Sequence, residues 1–559
     1  MLGGHELTLR SESSAATCAD PTNSTGDQLR ALASMWDVLG EGDFHFAKAA
    51  LGNDLADWTW PQYSAWLLRN SLAEWRDQSS TDSMKLRWGS RNPVLAEPEI
   101  AQRTAHRMLR AWQLNPDASR LHHAVGWAVK LGAWDDLAAL WLEHLHCTRL
   151  GIYPGVLDAF AELPPVARRA APLLSWAAAL ARAEAAREAT RDDTLVRCVV
   201  ADANSLHADW RNAERTDSGV AAGMLVMLAQ RAMPTSPVAQ ALDEAWETQT
   251  AVAAYIHDRR TEGRPPSSRV EALFRATSAQ VALARADLPN AVAEAEFAIA
   301  IDPWVGNSTA GGTRDLALEL SGRGSSAPRF VIDPIREVNW LHRDPVTTDV
   351  ISARLATAIT ALRKLDRVGC ARALSDLESA DLGPAHWTTA LYVESLSAAL
   401  WGDPTAALAR LDSVKLRRGP AAVEQYERLG AGLLLRARIT LLDHVGAYAA
   451  AKESARGLPP SWRWVMRAYS LLWAGEADEA LRVAESGIYD PGTPLADRLS
   501  LRIVRVAAIA LQEPAADPER VRIALDSVAE CIGQHFVLPL GLLPARAREA
   551  LLAWCPGPQ

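Results

Sequence analysis

Between Trp462 and Pro491 the apolar positions fall into two short stripes at helical spacing. Trp464, Ala468 and Leu471 mark the first. Ala480, Val483 and Ala484 mark the second. Gly475 stands between them, where glycine leaves a helix without steric cost, and Pro491 closes the unit. The small residues Ala468 and Ala480 let the two backbones approach closely. Such a hairpin cannot bury both apolar faces by itself, so the pattern predicts neighbours stacked on either side.

Similar units recur elsewhere, at offsets near the roughly 34 residues of helix–turn–helix repeats. One carries Ala279, Ala282, Ala286, Ala291, Ala295, Ala298 and Pro303 at the same relative places. Another carries Ser395, Ala398, Gly402, Ala407 and Leu411. A third has Leu362, Asp366 and Ala371 in place, but Ile359 where a small residue is expected. Looser units turn at Gly132 and near Asp443. The spacing between units is irregular, so the array is degenerate. The expected fold is all-α, a TPR-like α-helical repeat solenoid over residues 108–303 and 348–545, with a helix end and tail at 546–559.

Residues 304–347 interrupt the array with GNSTAGG, SGRGSSAP and several prolines. They read as a flexible insertion holding at most one short helix, Arg314–Leu320. Residues 1–26, rich in Ser, Thr, Asn and Gly, read as a disordered tail. Residues 27–107 have another texture, with Trp36, Trp58, Trp60, Trp66, Trp75 and Trp88. There the run TWPQYSAWLLRNSLAEW reads as a helix with Trp66, Leu67 and Leu72 inward. A short strand, a turn at Gly89–Pro93 and a second helix follow, which suggests a small winged-helix-like module.

Composition agrees with a folded helical chain: 49% hydrophobic and 22% charged residues exclude wholesale disorder. A net charge of -9 argues against a large nucleic-acid-binding surface. The six cysteines are scattered singly, which reads as free thiols in a cytoplasmic setting. Neither a secretory signal nor a membrane span is read, since Pro172–Ala181 is too short and Arg182 and Glu184 follow at once.

The stretch RMLRAWQLNPDASRLHHAVGWAVKLGAWDDLAALWLEH, the link LPPVARRAAPLLSWAAA and the C-terminal PLGLLPARAREALLAW resemble the large MalT-like regulators of the LuxR type. With the repeats, the resemblance covers most of residues 27–554. In that family an ATPase module and a winged helix precede a helical-repeat sensor, and a helix-turn-helix closes the chain. Two features depart from the pattern. No GxxxxGK[ST] phosphate loop is present, and only CPGPQ follows Trp554, too little for a helix-turn-helix. The resemblance therefore implies the sensor part alone, with neither nucleotide nor promoter binding carried over.

The chemistry-bearing clusters read as structural. His144 and His146 lie two apart on a helix and point to different faces, so with His122, His123 and Cys147 they do not form a zinc site. The acidic pairs Asp135–Asp136 and Asp192–Asp193 diverge on a helix, and the first is expected to open the helix after Trp134. The basic runs 257–264 and 414–419 read as solvated turns. A stripe on the inner side of each first helix is the better candidate for binding: Trp462, Val465, Tyr469 and Leu472 in the anchor unit, Thr389, Tyr392, Leu396 and Ala399 in an earlier one, and Thr360 and Arg363 before that. Arg363, Thr389, Tyr392, Trp462 and Tyr469 are the groove residues to test. The sequence thus points to a cytoplasmic, non-enzymatic sensor or interaction module without cofactor or metal. Its partner would be another protein or a small-molecule inducer, with no direct nucleic-acid or membrane contact. The alternatives are a truncated regulator remnant and an all-α enzyme with an unrecognised site.

Overall fold

The computed structural model describes residues 38–51, 58–69, 73–75, 85–88, 98–114, 121–143, 159–185, 210–213, 215–232, 238–322, 348–377, 382, 384–424, 432–458, 460–512, 517–533 and 536–554. The expected tail at 1–26 and residues 323–347 of the expected insertion lie outside them. Among the described residues the architecture is α-helical, with one small sheet near the N-terminus. Two compact units emerge, one of residues 1–143 and 153–170, the other of residues 144–152 and 171–559.

In the first unit, β1 (Val38–Gly40), α1 (Glu41–Leu51), α2 (Trp60–Arg69), β2 (Ala73–Trp75), β3 (Lys85–Trp88) and α3 (Pro98–Leu114) follow in order. Strand β3 lies between β1 and β2, antiparallel to both, with Val38 opposite Arg87 and Trp75 opposite Leu86. The helix expected across 59–75 therefore stops at Arg69, and its last residues pair as a strand. Tyr63, fully buried and stacked on Phe44 at 5.1 Å, centres this core, while Trp66 is only half-buried. Beyond it, α4 (Leu121–Leu131) and α5 (Trp134–Glu143) pack as a hairpin, with Asp135 and Asp136 in the first turn of α5 as expected. The short α6 (Pro165–Ala170) completes the described helices of this unit.

The second unit runs from α7 (Pro172–Ala185) through α8 (Thr216–Ala232), α9 (Val238–Thr261), α10 (Ser268–Ala284), α11 (Leu288–Ile301) and α12 (Pro303–Leu320). It continues with α13 (Thr348–Arg363), α14 (Arg367–Ser375), α15 (Pro384–Trp401), α16 (Pro404–Glu424), α17 (Gly432–His444) and α18 (Tyr448–Ala455). The last helices are α19 (Pro460–Trp473), α20 (Ala477–Tyr489), α21 (Leu495–Gln512), α22 (Pro518–Gly533), α23 (Leu538–Gly541) and α24 (Ala545–Trp554). From α13 onward each odd-numbered helix packs on its even-numbered successor and on the next odd-numbered helix as far as α21.

One local device repeats at the hairpin turns. One or two residues after the first helix, φ is positive at Gly132, Ala286, Leu365, Gly446 and Gly475. In each case the next amide reaches back five residues: Ala133 to Ala128, Asp287 to Ala282, Asp366 to Ala361, Ala447 to Leu442 and Glu476 to Leu471, all at 2.8–3.0 Å. These bonds satisfy carbonyls that a helix end leaves open. Asp287 and Asp366 then cap the following helix through Asn290 N–H and Gly369 N–H. Small residues close the helix contacts, with Ala276, Ala279, Ala295, Ala298 and Ala310 of α10–α12 forming one buried cluster.

The flexible insertion expected at 304–347 is overturned over its first part. Residues Pro303–Leu320, including GNSTAGG, form the 18-residue helix α12. Its small residues are contact points. A Cβ at Gly306 would run into the backbone of Ile299 on α11, and one at Gly312 into the Asp349 carbonyl on α13. The Asp349 carboxylate accepts from Gly312 N–H at 3.1 Å and from Thr313 N–H and Oγ1–H at 3.0 Å each, tying α12 to α13. Glycine here serves close approach, which composition alone does not separate from flexibility. The basic run 414–419, expected as a turn, lies inside α16, in keeping with the helix-favouring character of Lys, Leu and Arg. Of the other run, residues 257–261 end α9 and only the rest forms the turn. Among the described residues no helix is long and apolar enough to cross a membrane.

Candidate functional site

The inner side of the odd-numbered helices in the second unit encloses a cavity of about 300 Å³. Its wall takes Leu362 and Arg363 from α13, Tyr392 and Leu396 from α15, and Arg436, Thr440, Asp443 and His444 from α17. Trp462, Val465, Tyr469 and Trp473 come from α19, and Asp497 and Ser500 from α21. One inner stripe per helix therefore supplies most of the lining. The end of α12, at Glu319, and the turn at Ala286 complete that side.

Of the five groove residues singled out from sequence, Arg363, Tyr392, Trp462 and Tyr469 line this cavity. Thr389 does not: it is fully buried within α15, away from the lining. Leu396 and Val465 of the same stripes reach the cavity, whereas Leu472 belongs to the packed core and Ala399 packs beside the Trp387 cluster. Thr360 donates to Glu319 Oε1 at 2.7 Å behind Arg363. Sequence reasoning misses the contribution of α17. Leu433, Arg436, Thr440 and His444 follow the same spacing, so extending the stripe to that looser unit would have found it.

The side of the cavity opposite the helix stripes is made by the C-terminal residues 536–542. Val537 N–H donates to the Arg363 carbonyl at 2.7 Å. Tyr469 Oη–H donates to the Pro539 carbonyl at 2.9 Å, and Trp473 Nε1–H to the Leu542 carbonyl at 3.1 Å. The Phe536 ring lies beneath the Arg363 guanidinium at 5.1 Å. Phe536, Leu538, Pro539 and Leu542 thereby face the aromatic residues of α19 across the cavity.

Two buried ion pairs flank the space. Arg363 meets Glu319 at 2.8 Å and also donates to the Glu319 carbonyl at 2.6 Å. Burial pulls the Arg363 guanidinium below its usual range, and Glu319 offsets part of this. Arg436 meets Asp497 at 3.0 Å and stacks over Trp462 at 5.2 Å. Burial pushes the Asp497 carboxyl up, and Arg436 pulls it back part of the way. Asp443 differs. Ser470 donates to its Oδ2 at 2.8 Å, while no hydrogen-bond donor among the described residues reaches Oδ1. Burial pushes the Asp443 carboxyl up to about 7, against smaller opposing effects of Ser470 and Lys452. Burial also lowers His444, whose Nδ1 pairs with the Thr440 carbonyl at 2.8 Å and whose ring lies 4.5 Å from that of Trp473. Burial thus disfavours the imidazolium form.

The cavity is mostly apolar and aromatic, with a few polar groups placed by packed helices, as small-molecule sites are built. Among the described residues no group of three or more His, Cys, Asp and Glu is arranged to hold a metal ion. No protein-family model matches this chain, and no curated protein matches it.

Proposed function

We propose that this chain is a non-enzymatic helical-repeat sensor whose signal is a small molecule bound in the α13–α21 cavity. The observation that carries the reading is that successive inner stripes of α13, α15, α17, α19 and α21 converge on one space. A stack of TPR-like hairpins presents such a stripe on its concave side. With residues 536–542 across the opening, the space of about 300 Å³ fits a small ligand and is too small for a helical peptide. The recurring positive-φ turns and the Asp caps of α11 and α14 support the TPR-like description. The three-strand sheet beside α1–α3 supports a winged-helix-like reading of the N-terminal module.

The functional comparison is with the signal-receiving part of MalT-like LuxR-type regulators. In this reading a ligand favours one arrangement of residues 536–542 against α13 and α19, and a partner protein reads that arrangement in the cytoplasm. A ligand shifts such an equilibrium only by its differential affinity for the two states. Thermal unfolding of the full chain against a library of small metabolites tests the reading. A hit whose stabilisation is lost in Trp462→Ala and Leu396→Trp, with both variants still folded, supports it. Hits unaffected by either variant place binding elsewhere and refute it.

A further inference from the structure

The charges around the cavity do not balance in the same way at every point. Arg363 has Glu319, and Arg436 has Asp497. Asp443 is 2% exposed and lines the cavity with no cation paired to it among the described residues. Lys452, on the neighbouring α18, is engaged by Glu476. Burial also disfavours the charged form of His444, next in the chain. From the other packed helices the ionisable groups are the two pairs already named, with Tyr392 and Tyr469. The Asp443 hydrogen bond to Ser470 places the carboxyl on α19 between the turns that carry Tyr469 and Trp473. Asp497 Oδ2 is a second buried acceptor without a donor among the described residues. Against these two acceptors the lining holds a buried donor without an acceptor among the described residues, Arg436 Nε, whose charge Asp497 already balances, and the nearby walls are aromatic faces, which attract cations.

We propose that the cavity takes an organic amine carrying one positive charge, with its ammonium received by Asp443 and its apolar body against Trp462, Tyr469 and Trp473. This rests on the cavity being the ligand site. The charge sum favours it. With Asp443 ionised, the lining carries one negative charge in excess of its two internal pairs. A monocation cancels that excess, whereas an organic acid would add to it. Aromatic and alicyclic amines both qualify, since both present an apolar body of suitable size.

The ionisation of Asp443 gives a readout that simple packing would not move. Its carboxyl holds a proton up to about pH 7 because it is buried. Binding an ammonium stabilises the carboxylate, so below that pH the exchange is carboxylic acid plus ammonium giving a carboxylate–ammonium pair plus one proton released to solvent. Above it, the carboxylate is already ionised and no proton leaves.

Calorimetry on the full chain tests this with three probe classes: phenethylamine, tryptamine and cyclohexylmethylamine; the corresponding alcohols; and the corresponding acids. Each is titrated at about pH 6 and about pH 8.5, in buffers of different ionisation enthalpy. At least one amine is expected to bind roughly tenfold or more tighter than its alcohol, about 1.4 kcal/mol. Its binding is expected to release close to one proton at the lower pH and close to none at the higher. Asp443→Asn is expected to remove both the proton release and the preference, so that the amine binds no tighter than its alcohol. Alcohols or acids binding as well as amines, or an amine preference unchanged in Asp443→Asn, overturn the amine inference and leave the cavity reading standing. No binding by any class overturns both. Proton release by the unmodified chain keeps the test decisive if the variant folds poorly.

Discussion

Replacing Asp497 by Ala strips a buried guanidinium of its counter-charge. Asp497 and Arg436 meet at 3.0 Å with side chains 6% and 18% exposed. For charge centres near 4 Å apart, the attraction at an effective dielectric of about 20 is about 4 kcal/mol. Removing one partner of such a pair costs about 3–5 kcal/mol, chiefly because the other charge is left buried and unpaired. Trp462 remains under Arg436 and retains about 1–2 kcal/mol of cation–π attraction, so the lower end, about 3 kcal/mol, is expected. Hydrogen exchange is the suitable assay, because it reads the opening of α17, α19 and α21 separately from the rest of the chain. Their slowest amides should exchange roughly 150-fold faster in Asp497→Ala. The double variant Arg436→Met with Asp497→Leu should return close to the original rates, since a packed apolar pair replaces a buried ionic one at little cost. A change below about 0.5 kcal/mol in the single variant, or equal damage in the double, would refute the reasoning.

Three further outcomes are expected. Asp443 has its folded-state pKa raised to about 7 from an ordinary 3.8, so its stabilising protonation is fully present below about pH 4 and is lost as pH rises through about 7; thermal melts from pH 5 to 8 should therefore show Asp443→Asn gaining on the original chain with rising pH, by at most a few kcal/mol. Gly475 has φ +79° and open space where a Cβ would stand, so Gly475→Ala should cost about 1–2 kcal/mol from backbone conformation alone, read as faster amide exchange in α19 and α20. Gly312→Ala should force α12 off α13 and cost about 1–3 kcal/mol, visible as lost protection of the Gly312 and Thr313 amides that Asp349 holds.

The hairpins from Ser268 to Pro491 are legible in the sequence because short-range pattern determines them. Small residues at Ala279, Ala295, Ala468 and Ala480 mark close approach, and Gly475 marks the turn. At Ala286 and Leu365 the same left-handed turn is made without glycine, so tertiary packing holds a backbone that the local sequence does not announce. Helix α12 escapes a reading by composition for the converse reason, since Gly306 and Gly312 are where neighbouring backbones press in. Four of the five groove residues share one cavity because an inner stripe follows from helical spacing. Thr389 falls outside because, at nearly the same angle around α15 as Leu396, it lies about 10 Å nearer the helix start, among buried residues. The ion pairs and the C-terminal closure are beyond local pattern. Arg436 and Asp497 are 61 residues apart, and Tyr469 reaches Pro539 across 70. Nothing in the stretch 539–554 shows that its first residues close a cavity 70 positions upstream.

Residues 536–542 lie across the inner stripes of α13 and α19, and that contact turns an open groove into the cavity on which the proposed function rests. Exchange of the Val537 amide, whose N–H is held by the Arg363 carbonyl at 2.7 Å, measures the contact directly. Protection at least about 100-fold above the rate of an unstructured chain, reduced when Tyr469→Phe and Trp473→Phe are combined, is the expected result. Exchange at the unstructured rate in the unaltered protein would contradict it.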